Sequence, residues 1–237
     1  MIVYIFIGLL VLLLIVGLAV ANFSTSQLLD TFERYNHIPC NKKITGGKYA
    51  LMLTNNLFGG RILVGRTSGY LNDGYSSKSK MVVLSEATCD VASVAALTVV
   101  AHEFGHASQH LTNSKKYKMN KILTKITKVL SYFMFPLAIV GLLLCLIVSD
   151  YMVLGFAFLG GSFAILLFAA IVKLLLIPLE KDASNRGIKL LEKTQALDEE
   201  EMKQAKDLLK AALLTYVGDF LRSILWWTFL TKKSKLF

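Results

Sequence analysis

The chain has 237 residues, of which 54% are hydrophobic and only 18% charged, with a formal net charge of +10. So apolar a composition excludes a purely soluble globular domain and makes an integral membrane protein the first expectation. The positive balance does not call for nucleic acid, because lysines flanking apolar runs are drawn to anionic lipid and account for it.

The stretch from Ile2 to Ala21 carries no charge. At ~1.5 Å per residue it is long enough to cross a hydrocarbon core of ~30 Å. Ala19-Val20-Ala21 imitates a signal-peptidase site. The run nevertheless exceeds the usual apolar region of ~7 to 15 residues and has no Lys or Arg before it, which favours a retained anchor. Next, Thr45 to Asn55 reads as a helix with Thr45 as N-cap, followed by the turn signal Gly59-Gly60. Arg61 to Gly65 and Lys80 to Leu84 read as β segments around a loop from Leu71 to Ser77, and Ser85, Glu86 and Asp90 lead toward the next helix. A strand just before that helix can offer a free edge to an extended substrate, or can simply be part of a small sheet covering the helix.

The charge-free stretch Val91–Ala101 runs into His102, Glu103, Phe104, Gly105 and His106, an H-E-x-x-H pattern. On a helix, residues four apart share a face, so both imidazoles can converge on one ion with Glu103 beside them. Neutral imidazoles leave the charge of Zn²⁺ intact, and zinc lowers the pKa of a coordinated water from ~16 to about 7. Glu103 is then the candidate general base for attack on a peptide carbonyl. A buried histidine pair without a metal or partner would cost free energy, and these flanks would bury it.

Two further apolar runs, Val129–Val148 and Tyr151–Val172, are separated only by Ser149 and Asp150 and predict an antiparallel hairpin of two membrane spans. Pro136 is a candidate kink in the first of them. The Ser149-Asp150 turn has no basic residue, whereas Lys115, Lys116, Lys118, Lys121, Lys125 and Lys128 precede the hairpin and Lys173, Lys181 and Arg186 follow it. The positive-inside bias therefore predicts a cytoplasmic face for the segment before the hairpin and an external N-terminus. The last apolar region, Ala211–Leu230, is interrupted by Asp219 and Arg222 and is expected to span or to lie in the interface, with Trp226 and Trp227 at headgroup level. Lys232, Lys233 and Lys235 favour a cytoplasmic C-terminus, hence an interfacial or re-entrant last helix. Cys40, Cys89 and Cys145 suggest neither a disulfide framework nor a metal cluster.

A catalytic zinc normally keeps three protein ligands, so a third is required. His110 stands eight residues beyond His102, which on a continuous helix is ~12 Å away, too far for a common ion; it reads as a residue supporting a ligand or as a polar helix-face histidine. Glu180 follows the third span, and the hairpin returns it to the face of the membrane that holds His102 and His106. It is the better third ligand, or else a solvated carboxylate at a helix start. Asp182 can orient a ligand imidazole through its other ring nitrogen.

Several segments together resemble the membrane zinc metallopeptidases of the YugP-like, neutral zinc metallopeptidase type: Thr45-Gly46, Asn72-Asp73-Gly74-Tyr75, Val83-Leu84-Ser85-Glu86, the run Ala101–His110, Pro178–Ser184 and Ala211–Val217. The resemblance implies a membrane-bound, zinc-dependent peptidase in which a Glu in an E-x-x-A segment, here Glu180 and Ala183, is the third ligand. It departs from that pattern at Asp73-Gly74-Tyr75-Ser76, where relatives tend to carry D-H-Y-D, and at Ser184, where the analogous segment has Asp. The second departure points to Asp182 or Asn185 as the orienting group. Tyr216 resembles a recurring Thr-Tyr of the family and can donate to an oxyanion, or can be a packed helical tyrosine.

The expected fold class is mainly α, an integral membrane helical protein with a small α+β zincin-like catalytic portion. Its expected parts are an anchor (1–22), a cytoplasmic zincin-like portion (23–128), a transmembrane hairpin (129–172), a cytoplasmic helical segment with the third ligand (173–209) and a transmembrane or interfacial last helix (210–237). The expected function is a zinc endopeptidase of the cell membrane, multi-pass, with its site on the cytoplasmic face. Its partners would be the bilayer and a membrane-associated protein or peptide substrate, not nucleic acid. The alternative is a non-catalytic, zinc-containing membrane factor that keeps the fold; Glu103 speaks against it, because a structural site needs no base. A site within the bilayer ranks last, since Val91–Ala101 is about half of a ~20-residue span.

Overall fold

A computed structural model describes residues 2–147 and 149–224. It is mainly helical with one small sheet: α1 (Ile2–Asn36), α2 (Gly46–Asn56), β1 (Leu63–Thr67), β2 (Gly74–Ser76), β3 (Met81–Ser85), α3 (Glu86–Cys89), α4 (Val94–Leu111), α5 (Lys115–Ile147), a 3-10 turn (Ser149–Tyr151), α6 (Met152–Thr194) and α7 (Glu199–Ile224). Val148, Trp226, Trp227, Lys232, Lys233 and Lys235 lie outside the described residues, and so does the end of the last apolar region.

The chain divides into two compact units. The first comprises the described residues among 1–21, 118–177 and 216–224. Within it α5 and α6 form the expected hairpin, and both are long and apolar enough to cross a membrane. Small residues let them approach: a Cβ on Gly141 would lie 2.8 Å from the Gly155 carbonyl oxygen. Ser162 Oγ donates to the Met134 carbonyl at 2.9 Å, which satisfies a buried hydroxyl between the two helices. Large apolar side chains such as Leu146, Val153, Phe156 and Phe163 point outward. Pro136 and Pro178 each sit inside an unbroken helix.

The second unit comprises, among the described residues, Asn22–Tyr117 and Pro178–Thr215. Thr45 caps α2 by accepting from the Lys48 amide at 3.4 Å, as its position in the sequence predicts. The sheet has the order β1-β3-β2, with β1 parallel and β2 antiparallel to β3. Both anticipated strands exist but begin later, at Leu63 and Met81, and β2 forms within the stretch expected to be a loop. One expectation is corrected: β3, the strand leading toward the metal-motif helix, is paired on both sides and offers no free edge, so the edges of the described sheet are β1 and β2. Val82 and Leu84 turn one face of β3 into a core shared with Tyr49, Leu53, Leu97, Val100, Phe104 and Leu191.

Asp73 explains why the 71–77 stretch is ordered. It is buried, and it accepts from the Ser85 amide at 2.8 Å, Ser85 Oγ at 2.9 Å and Thr88 Oγ1 at 3.0 Å. Burial pushes its carboxyl up, and these donors pull against that shift. Asp73→Ala would leave three buried donors with a lost acceptor, so it should destabilise the protein by about 3 kcal/mol, measured by unfolding in detergent. A loss under about 0.5 kcal/mol would mean that the cluster does not hold the loop.

Candidate metal centre

α4 begins at Val94 with Ser93 as N-cap, its hydroxyl accepting from the Ala96 amide at 3.0 Å. It is the most buried helix described, with fourteen residues from Val94 to Gln109 out of solvent, including His102 and Glu103. An apolar stretch without charge produces this burial, and the histidines are carried into the interior with it.

α6 crosses α4 at the motif, and the reason is the absence of side chains. A Cβ on Gly105 would collide with the Ala183 carbonyl oxygen, and one on Gly187 would lie 2.8 Å from the Ala101 carbonyl oxygen. Ala101 and Gly105 on one helix thus face Ala183 and Gly187 on the other, two pairs each spaced by four residues. Glu180, one turn before Ala183, is held against the histidines by this contact. It is not at the start of a helix, as the alternative reading has it, but inside α6, which continues through Pro178.

The ligand atoms of His102, His106 and Glu180 all lie within 4.8 Å of one another. Glu180 Oε2 is 3.4 Å from His102 Nε2 and 3.2 Å from His106 Nε2. The two imidazole rings stand nearly perpendicular, 87° apart, with centroids at 4.8 Å. Oε2 is buried and has no hydrogen-bond partner, although both nitrogens are within ion-pair reach. A zinc ion with bonds of ~2.0 to 2.1 Å in tetrahedral arrangement spaces its ligand atoms by about 3.3 to 3.4 Å. The two nitrogen-to-oxygen distances match that spacing, and an orphaned carboxylate oxygen beside two imidazoles is a donor set that suits such an ion.

The electrostatics fit as well. Burial, the largest influence, works to lower the His106 imidazole, but the Glu180 and Glu103 carboxylates outweigh it and lift it to about 9. Burial pushes the Glu103 carboxyl up, against the pull of His106 and His102. The site therefore demands positive charge beside its carboxylates, which a proton on His106 or a divalent cation supplies.

The other ring nitrogens of the two histidines have partners of their own. His102 Nδ1 is 3.1 Å from Ser184 Oγ, and His106 Nδ1 is 3.2 Å from Gln109 Oε1. Asp182 accepts from Gln109 Nε2 at 2.8 Å and from Arg186 Nε at 2.9 Å. Asn185 is exposed on α6. Ser184, which stands where the analogous segment has Asp, thus faces the His102 ring nitrogen itself, because its shorter side chain still reaches across so close a helix contact. Arg186 also donates to Ser108 Oγ at 3.0 Å and Thr112 Oγ1 at 3.2 Å, tying α6 to the end of α4. His110 lies one turn beyond His106, with Nδ1 2.7 Å from Tyr75 Oη and its ring against Tyr117. Burial, and then Tyr117, lift the Tyr75 hydroxyl to about 12. Tyr216 is half-buried on α7 and belongs to the first unit. Gln109 and Ser184 carried no assigned role in the sequence; the one usable signal was an amide three residues past His106 in a helix otherwise built to be buried.

The family model described as "Putative neutral zinc metallopeptidase" matches residues 10–231. The chain belongs to this family. It is also 29% identical over 219 residues to a Bacillus subtilis (strain 168) protein named "Putative membrane protease YugP", covering 90% of this chain and 91% of that one. No solved structure matches. The family name implies zinc, which agrees with a donor set of two imidazoles and a carboxylate.

Since Gly105 has no room for a side chain, Gly105→Ala should cost about 1 to 3 kcal/mol by overpacking, more than the ~1 kcal/mol alanine gains as a helix former. Unfolding of the solubilised variant measures this, and a variant more stable than wild type would refute the close contact.

Proposed function

We propose that this protein is a membrane-bound zinc endopeptidase that hydrolyses membrane-associated proteins or peptides at the cytoplasmic surface of the bilayer. The observation that carries the reading is the convergence of His102 Nε2, His106 Nε2 and the unpartnered Glu180 Oε2, with Glu103 buried beside them. These three residues would hold zinc. When bound, zinc supplies Lewis-acid chemistry, acidifying water and polarising a peptide carbonyl.

The chain's own groups supply the rest. Glu103 takes the proton from the attacking water and returns it to the leaving nitrogen, a role suited to a carboxylate whose proton affinity is raised by burial. β2 pairs on one side only among the described residues, so its outer edge is available to an extended peptide. A substrate bound there would lie along the same element whose Tyr75 meets α4 through His110. Tyr216 remains the family-based candidate for an oxyanion donor.

Membrane attachment rests on α5 and α6, on the charge-free Ile2–Ala21 part of α1, and on the outward-facing apolar side chains of the hairpin. Lysines from Lys115 to Lys128 and again from Lys173 favour the cytoplasmic side for the site. The non-catalytic reading has no use for a buried Glu103.

Glu103→Gln should retain zinc and lose at least about 100-fold in peptide cleavage, whereas Glu180→Ala should lose zinc itself. Metal analysis and detergent-phase proteolysis of both, beside wild type, decide the matter. Wild type that contains no zinc, or Glu103→Gln that cleaves normally, would end the enzyme reading. A chelator should abolish cleavage and added zinc should restore it.

A further inference from the structure

Gln109 is completely buried, and all its amide hydrogens are committed: Nε2 donates to the Leu179 carbonyl at 2.9 Å and to Asp182 Oδ2 at 2.8 Å. The reverse amide orientation would set Oε1 against a carbonyl and a carboxylate, three acceptors together, with no hydrogen between them. Oε1 must therefore face His106 Nδ1, 3.2 Å away, and since Oε1 can only accept, Nδ1 must carry a hydrogen. That assignment leaves Nε2 as the nitrogen directed at Glu180 Oε2, 3.2 Å distant. Ser184 imposes no such constraint on His102, because a hydroxyl can donate or accept.

We propose that Gln109 is a positioning residue of the metal centre: one buried amide sets the tautomer of His106 and, by gripping the backbone at Leu179, couples that ligand to Glu180 next in the chain. Asp182 acts through Gln109, and Arg186 holds Asp182 in place at 2.9 Å. The inference rests on the metalloenzyme reading above and adds to it a residue outside the H-E-x-x-H pattern.

The test is zinc affinity by chelator competition, measured beside the unfolding temperature of the metal-free protein. Gln109→Met keeps the volume and removes both bonding functions, and should weaken zinc by about 10- to 100-fold. Gln109→Glu can still accept from His106 but sets an oxygen against Asp182, and should weaken it comparably. Adding Asp182→Asn restores an amide hydrogen facing residue 109, and the double variant should bind zinc more tightly than Gln109→Glu alone. A purely structural role would lower the unfolding temperature while leaving affinity per folded molecule unchanged in all four proteins. Gln109→Met within about twofold of wild type, or a double variant no tighter than Gln109→Glu, overturns the proposal. Wild type without zinc overturns the metalloenzyme reading instead.

Discussion

Everything at the centre depends on two helices that touch without side chains between them. Ala101 and Gly105 on α4 meet Ala183 and Gly187 on α6 so closely that a methyl group on either glycine would strike backbone. An ordinary helix contact, with axes ~8 to 10 Å apart, is set by the side chains it must accommodate. Here the glycines remove that spacer, and a carboxylate and a serine of α6 can reach imidazoles of α4 directly. The same proximity lets Arg186 bond hydroxyls of Ser108 on α4 and of Thr112 at its C-cap, and lets Gln109 bond the backbone of α6.

Three of the four carboxylates described as buried in the second unit, Asp73, Glu180 and Glu103, meet the cost of burial in three ways. Asp73 accepts from two hydroxyls and an amide and thereby orders a loop into the edge strand β2. Glu180 faces two imidazoles with one oxygen left unbonded, which is the arrangement of a ligand rather than of a structural acid. Glu103 is raised by burial, with the charges of His106 and His102 pulling against that shift. Uniform burial thus yields different chemistry because the donors around each carboxylate differ.

Much of this was legible in the chain. Period and residue type gave the H-E-x-x-H helix, the Thr45 cap and the hairpin, since each depends on neighbours within a few residues or on runs of apolar length. The sheet was legible only in part: β2 has three residues, and its pairing depends on Asp73 reaching Ser85 and Thr88, contacts twelve and fifteen residues away. Glu180 was found through topology, because a hairpin must return the chain to its starting side. Ser184 and Gln109, which face the imidazoles, were not singled out as supporting residues, because Asp182 and Asn185 look better by charge and polarity, and nothing in the sequence reports how near two helices lie.

Taken alone, the sequence determined which residues could bind and activate, because imidazoles four apart on a helix share a face whatever surrounds them. It also determined that apolar runs of membrane-spanning length are present, because that depends on composition alone. The tertiary structure decided which carboxylate oxygen lies beside the two imidazoles, which groups face their other ring nitrogens, and which strands are edges. Those are differences of an ångström or one register position between segments some eighty residues apart, as His102 and Ser184 are, and only packing fixes such distances.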